Sequence, residues 1–163
     1  MSETDNNSST LIQLVTFIIE KEEFGIDILN VQEIIKPVDI TRVPNSAPYV
    51  KGVINLRGRI VPVVDLRVRF HLPHRKTDKE TRIVVVELED KVVGFLMDAV
   101  RQVIRIEKEV IEPPPPQATS VDSLYLRGVA KLQDRLLTLL DLENLLNESE
   151  LSKIPLASEN ALA

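Results

Sequence analysis

The chain has 163 residues, with 25 acidic and 20 basic side chains for a net charge of −5, and 44% of its residues are hydrophobic. That length suits one domain or two small units sharing a core, and the hydrophobic content excludes general disorder. The absence of cysteine excludes disulfides and thiolate chemistry, while the acidic balance and 4% aromatic content argue against a nucleic-acid binder.

Short apolar runs with polar breaks predict a mainly β chain. Residues 1–10 are polar and acidic, and we expect them to form a disordered tail. Most of the runs that follow are four to nine residues long, which suits strands better than helices. None approaches the roughly 18 to 20 residues of a membrane helix, so no membrane insertion is expected. The predicted strands are Leu11–Ile19, Phe24–Ile28, Val50–Leu56, Ile60–Val64, Ile83–Leu88, Val92–Met97, Leu126–Leu132 and Leu136–Leu140.

Two segments show the spacing of helices. Apolar residues at Ile28, Val31, Ile34 and Ile35 follow an i, i+3, i+4 pattern, which predicts a short helix over 28–35 that ends before a proline. A C-terminal helix is predicted near 141–148 with an aspartate as its N-cap. Beyond it the pattern dissolves, and 151–163 are expected to be a flexible tail.

An internal repeat organises the chain. Residues 49–66 match 125–142, with seven identities in eighteen ungapped positions, and a second match sets Gly25, Val31 and Ile35 against Gly94, Val100 and Ile104. The repeat predicts two related β units, roughly 11–80 and 81–150, packed into one domain over 11–150 and exchanging strands. A proline run, Pro113–Pro116, would be a stiff connector.

Catalytic motifs are weak. His71 and His74 supply fewer ligands than a metal site normally needs. Asp65 and Asp141 each follow a predicted buried strand, and helix capping explains them more simply than catalysis. We therefore expect no enzyme, metal or cofactor. A barrel that binds a small molecule remains an alternative, although bulky apolar residues favour a filled interior.

A predicted hairpin turn offers a better binding candidate. Arg57 and Gly58 lie between two strands, so Arg57 should be exposed, whereas the second repeat has glutamine and aspartate there. Glu33 would lie on the surface of the predicted helix. Together these two charges could form the rim of an apolar groove at a protein interface.

The motifs in order resemble those of the CheW family of chemotaxis coupling proteins. They are Phe24–Ile34, Tyr49–Gly58, Ile60–Arg67, Val92–Gly94, the Tyr125 to Gly128 motif and Asp141–Leu146. The resemblance covers about 11–150. It implies two intertwined SH3-like five-stranded β barrels, and a non-enzymatic cytoplasmic scaffold that links methyl-accepting chemoreceptors to the histidine kinase CheA in membrane-associated arrays. The same role in a non-flagellar chemosensory pathway is an alternative.

The resemblance also implies two binding surfaces. The receptor's cytoplasmic tip would contact Val31, Glu33, Gly52, Arg57 and Val103. The kinase's regulatory domain would contact the first barrel near Val38, Ile40 and Arg42, with a second contact near the proline loop, residues 112–117.

Overall fold

A computed structural model describes residues 11–73, 76–88, 90–114 and 125–146 of the chain. The two predicted tails, His74 and the second half of the proline run, residues 115–116, lie outside the described residues. The strands within these ranges are β1 Leu11–Ile19, β2 Glu22–Asp27, β3 Val31–Ile35, β4 Val50–Leu56, β5 Arg59–Asp65, β6 Arg82–Leu88, β7 Lys91–Met97, β8 Ala99–Glu107, β9 Ile111–Glu112, β10 Leu126–Lys131 and β11 Leu136–Leu140. The helices are α1 Leu66–Arg69 and α2 Leu142–Leu146, with 3₁₀ turns at Ile28–Asn30 and Lys108–Val110.

The strands form two sheets, each built from both halves of the chain. One sheet has the order β3-β6-β7-β5-β4 and encloses what we call the first barrel. The other has the order β8-β1-β2-β11-β10-β9 and encloses the second barrel. The predicted mainly β fold with paired barrels is confirmed, and the short strand β9 gives the second sheet a sixth member.

The repeat found in the sequence is a repeat of backbone geometry. A register shift follows Val50 in the β4–β5 pair, and a shift follows Leu126 at the equivalent place in the β10–β11 pair. The parallel contact between Val63 and Gly94 corresponds, through the two sequence matches, to that between Leu139 and Gly25. The two barrels therefore share strand order, register and irregularities.

The helix predicted over 28–35 is wrong beyond its first turn. Residues Ile28–Asn30 form a 3₁₀ turn, which Asp27 caps by accepting a hydrogen bond from the backbone N–H of Leu29 at 2.9 Å. The rest is strand β3, which pairs with β6 and carries a bulge between Val31 and Glu33. An extra residue in a strand changes the spacing of its apolar side chains from two to three, and that spacing resembles a helix.

The two predicted aspartate caps are confirmed. Asp65 accepts a hydrogen bond from the backbone N–H of Arg67 at 3.0 Å, at the start of α1. Asp141 accepts one from the backbone N–H of Asn144 at 3.2 Å, at the start of α2. The C-terminal helix is described as far as residue 146. Both carboxylates thus satisfy helix N–H groups that would otherwise lack a partner.

Three groups of buried side chains form the core. One fills the first barrel, one fills the second, and the largest lies between them and includes the aromatic series Phe17, Phe24, Phe70 and Tyr125. Neighbouring rings in that series have centroids 5.8 to 6.4 Å apart, a distance typical of attractive aromatic pairs. Packed side chains occupy the barrel interiors, where a small-molecule site would need open space.

A buried polar network joins the elements around the shared core. The Arg67 guanidinium donates two hydrogen bonds to the Asp98 carboxylate, at 2.9 and 2.7 Å, and one to Glu20 at 3.0 Å. It also donates to the carbonyl of Pro73 at 2.8 Å. The hydrogen bonds to Asp98 raise the pKa of Arg67 above its ordinary value, burial opposes them, and the Glu20 bond adds to the increase. The network links α1 to the β1–β2 and β7–β8 turns.

Candidate partner-binding surface

The turn between β4 and β5 holds Arg57 at the surface. Arg57 and Gly58 have φ angles of 53° and 83°, the left-handed pair that a two-residue type I′ hairpin turn requires. The side-chain oxygen of Asn55 accepts a hydrogen bond from the Gly58 N–H at 2.8 Å and fixes the turn. The Arg57 side chain is 73% exposed, as the sequence predicted.

Arg57 forms an ion pair with Glu33 across the first barrel. Its two terminal nitrogens donate to the two carboxylate oxygens of Glu33, one of them at 3.2 Å. This hydrogen bond, and then the charge of Glu33, raise the pKa of the Arg57 guanidinium. The bidentate geometry pre-positions an exposed cation above a half-buried carboxylate. The second repeat has glutamine in both equivalent places, so the pair belongs to one barrel only.

Val31 and Val103 lie on strands at the edges of the two sheets. Val31 is opposite Val86 in the β3–β6 pair, and Val103 is opposite Val15 in the β1–β8 pair. Both partners belong to the core between the barrels. Since directly opposed residues of an antiparallel pair share a face, Val31 and Val103 both face the region between the barrels. Val103 is 50% exposed there.

Sequence reasoning missed two further apolar residues of this region. Ile34 is opposite the core residue Val84 and is 40% exposed, while Val100 packs against the core between the barrels. In the second sequence match, Val31 corresponds to Val100 and Ile34 to Val103. The repeat therefore carried the signal that would have identified them. We use the name inter-barrel groove for Val31, Ile34, Val100 and Val103, because all four lie on strand faces directed to the region between the barrels.

The bulge separates Glu33 from this groove. In a regular strand Val31 and Glu33 would share a face, but the extra residue places Glu33 opposite Val85, which belongs to the core of the first barrel. Apart from Gly52, the residues that the resemblance assigns to the receptor thus divide into two parts. The charged pair lies on the first-barrel face of β3, and the apolar residues line the inter-barrel groove.

Gly52 is buried and has a structural role of its own. Its φ of +151° is unfavourable for other residues, and a Cβ at this position would lie 2.2 Å from the carbonyl oxygen of Thr41. The same Cβ would lie 2.7 Å from a methyl carbon of Ile40. Gly52 therefore allows the 38–42 segment to lie directly against β4.

The 38–42 segment carries the residues that the resemblance assigns to kinase binding. Thr41 forms a bridge with Val53 through hydrogen bonds of 2.9 and 2.8 Å. Ile40 is half-buried against the core of the first barrel, whereas Val38 is 48% exposed and Arg42 is exposed. The segment thus presents one apolar and one basic side chain at the edge of the first barrel.

Metal ligands do not gather anywhere in the described part of the chain. No group of three or more histidine, aspartate or glutamate side chains there could hold a metal ion. His71 is exposed, and its proposed companion His74 lies outside the described residues. Among those residues, too, no helix is long and apolar enough to cross a membrane.

Comparison with known families identifies the fold. A family model described as the CheW-like domain matches residues 13–150. The chain belongs to the CheW family. It is 41% identical over 147 residues to chemotaxis protein CheW of Helicobacter pylori, covering 90% of this chain and 88% of that protein. It is 39% identical over 142 residues to chemotaxis protein CheW of Klebsiella aerogenes, covering 87% and 86% respectively.

A solved CheW structure agrees with these matches. The crystal structure of the scaffolding protein TtCheW from Thermoanaerobacter tengcongensis superposes with a TM-score of 0.79 at 38% identity, covering 85% of this chain and 94% of that one. These CheW proteins are named for chemotaxis and for scaffolding. The matches support a chemotaxis adaptor or scaffold role, as the sequence motifs predicted.

Proposed function

We propose that this protein couples methyl-accepting chemoreceptors to a CheA-type histidine kinase, and that it does so by binding rather than by catalysis. The observation that carries the proposal is the inter-barrel groove, where Ile34 and Val103 are exposed at equivalent positions of two edge strands. A groove with apolar walls suits the apolar face of a helix. The cytoplasmic tip of a chemoreceptor would supply that helix.

The ion pair beside the groove would add specificity. Arg57 and Glu33 lie on the first barrel only, so a partner with complementary charges can bind in one orientation and not in the reverse. Val31 would contact the same partner from the edge of the groove. Gly52 would act indirectly, through the backbone packing that it permits between β4 and the 38–42 segment.

The kinase would bind at the edge of the first barrel. Val38 and Arg42 are exposed on a segment that is held to β4 by a single bridge, so a regulatory domain of the kinase can approach it. A receptor signal would then pass through the rigid core shared by the barrels. Coupling requires only that the assembled complex bind the active and inactive kinase states unequally. The protein would act in the cytoplasm, at membrane-associated receptor arrays.

A reconstituted autophosphorylation assay tests this proposal. The cognate kinase and receptor-bearing membranes are mixed with this protein, with its Val103→Asp variant, or with no addition. We expect strong stimulation only with the unaltered protein. Val103→Asp should bind the receptor at least about tenfold more weakly, because it places a charge in the apolar groove.

A matched control distinguishes the groove from general surface effects. Val110 is also an exposed apolar residue, at 38%, but it lies in the 3₁₀ turn after β8. Val110→Asp should leave stimulation unchanged. If the unaltered protein changes nothing although receptor and kinase are active, the coupling proposal fails for that pathway, and the kinase of a non-flagellar system becomes the next to test.

A further inference from the structure

A buried carboxylate near the start of β2, in the second barrel, has only one of its oxygens paired. Glu23 on β2 is 7% exposed, and its Oε1 accepts a hydrogen bond from Nε of Arg135 at 2.6 Å. Its Oε2 is buried and has no hydrogen-bond partner among the described residues. Burying a carboxylate oxygen without a hydrogen-bond donor costs free energy of folding. Oε2 can therefore accept a hydrogen bond from a donor that the described part of the chain does not supply.

A cavity of about 320 Å³ opens beside this carboxylate. Glu23 lies two residues before Gly25 on β2. A Cβ on Gly25 would point towards Leu137 and Leu139 of the second barrel. Residues two apart on a strand share a face, so the Glu23 side chain points to the same side of β2. The cavity is large enough for one long side chain with its terminal group. Its lining combines acidic, basic and apolar groups: Ile18, Lys21, Glu22, Glu23, Arg101, Arg135, Leu136 and Thr138.

The charges of the cavity differ between its floor and its rim. Arg135 divides its guanidinium between Glu23 and Asp134, whose oxygens accept from Nη1 at 2.9 and 3.2 Å. Arg135 is thus shared between the buried Glu23 and the exposed Asp134, which lies outside the cavity lining. At the rim, Lys21 and Arg101 are exposed and form no ion pair with any described residue. The unpaired oxygen of Glu23 therefore favours a hydrogen-bond donor, and the basic rim favours acidic groups around that donor.

The fold itself does not require a carboxylate here. The position equivalent to Glu23 in the first barrel is Val92, which packs against the core of that barrel. The equivalent of Arg135 is Arg59, so the first barrel keeps the arginine without this carboxylate. An apolar side chain thus fills this position in the same architecture. A buried ion pair is often no more stabilising than such a replacement.

We propose that this cavity binds a cationic side chain of a partner protein, a lysine or arginine flanked by acidic residues. The cation would donate to Oε2 of Glu23, its methylene groups would pack on Ile18 and Leu136, and the flanking acids would meet Lys21 and Arg101. Leu136 is 50% exposed and supplies an apolar wall. The site lies on the second barrel and does not depend on the receptor-coupling role.

Titration of the ¹⁵N-labelled protein with capped tripeptides, followed by amide chemical shifts, tests the site. The first peptide has arginine between two aspartates, the second replaces arginine with neutral citrulline, and the third has arginine between two lysines. We expect saturable shifts at Glu23, Leu136 and Thr138 with the first peptide, and at least about tenfold weaker binding of the other two. Equal binding of the citrulline peptide, or no saturable shift at these residues, would overturn the proposal.

Variants locate the binding and guard against misfolding. Glu23→Val introduces the residue found at the equivalent position of the first barrel. Glu23→Gln keeps the shape of the side chain and removes its charge. Either variant, if it folds, is sufficient for the test. Both should lose the binding of the first peptide. Glu33→Gln alters the glutamate–arginine pair of the first barrel and should retain the binding of the first peptide. Loss of binding in Glu33→Gln, or its survival in the folded Glu23 variants, would show that the cation binds elsewhere.

Discussion

Tyr49 and Tyr125 are equivalent residues of the two repeats, and their rings contact the same guanidinium. Arg69 lies 4.6 Å from the ring centroid of Tyr49 and 4.2 Å from that of Tyr125, and it also donates a hydrogen bond to the Tyr125 hydroxyl. The backbone carbonyls of the two tyrosines accept equivalent hydrogen bonds of 2.8 Å. The donor is the backbone N–H of Asp65 for Tyr49 and that of Asp141 for Tyr125. One cation therefore joins the two repeats at equivalent positions.

Arg69→Met should destabilise the protein by about 1 to 2 kcal/mol, because a partly desolvated cation between two rings loses its attraction while its aliphatic packing is kept. Arg69→Lys should have an intermediate effect, since lysine keeps the charge but cannot stack a planar group on both rings. Urea unfolding followed by circular dichroism measures both changes. Equal stability of the Arg69→Met variant and the unaltered protein would show that the cation contributes nothing.

Arg57→Ala should abolish receptor coupling without lowering stability. The side chain is exposed and its ion pair is screened by solvent, so the urea midpoint should hardly move. The matched control is Gln133→Ala, the same turn position in the second repeat, which should leave coupling intact. The readouts are receptor-dependent kinase phosphorylation and the urea midpoint. A large loss of stability with normal receptor affinity in the folded fraction would contradict the assignment.

Gly52→Ala should destabilise the protein by at least about 2 kcal/mol, because the new methyl would overlap the Thr41 carbonyl and strain the backbone. Gly58→Ala separates these two causes. Gly58 also has a positive φ, of 83°, but a Cβ there would meet nothing within 4 Å, so we expect about 1 kcal/mol from strain alone. Thermal unfolding of both variants gives the comparison. An equal cost for both would mean that the contact with Thr41 relaxes freely.

The buried pair of Arg67 and Asp98 should show strong coupling. Each side chain is 8% exposed, so Arg67→Met leaves a buried carboxylate without its cation, and Asp98→Leu leaves the guanidinium with only the half-exposed Glu20 as an ion-pair partner. Either substitution alone should cost about 3 to 5 kcal/mol. The double variant should cost much less than the sum of the two. A double-mutant cycle by urea unfolding measures this coupling. Additive effects would show that the pair is not an energetic unit.

The sequence predicted most strands because their apolar runs are bounded by clear turns. Three of them, β1, β4 and β11, have the predicted limits, and the Arg57 turn is where the hairpin pattern placed it. Strands β3 and β8 were missed because each carries the same bulge, at Gln32 and at Arg101. An extra residue breaks the alternation of period two on which strand prediction depends.

The binding surfaces were less predictable from the sequence. Glu33 and Arg57 were predicted as opposite charges at one rim, but Glu33 was expected on a helix. Its contact with Arg57 depends on a strand bulge that no local pattern reveals. The partnership of Glu23 with Arg135 joins residues 112 positions apart. Such contacts arise from the order of strands in the sheet, and local propensity contains no information about that order.

The crossed membership of the sheets has a consequence for how the chain acquires its structure. Strands β1 and β2 belong to the second sheet, and β6 and β7 belong to the first. Neither barrel can close until the later strands have been synthesised, so a ribosome-bound chain that ends near residue 80 lacks the centre of one sheet and the partner strands of the other. Fragments divided there should remain unfolded apart and regain structure only when mixed.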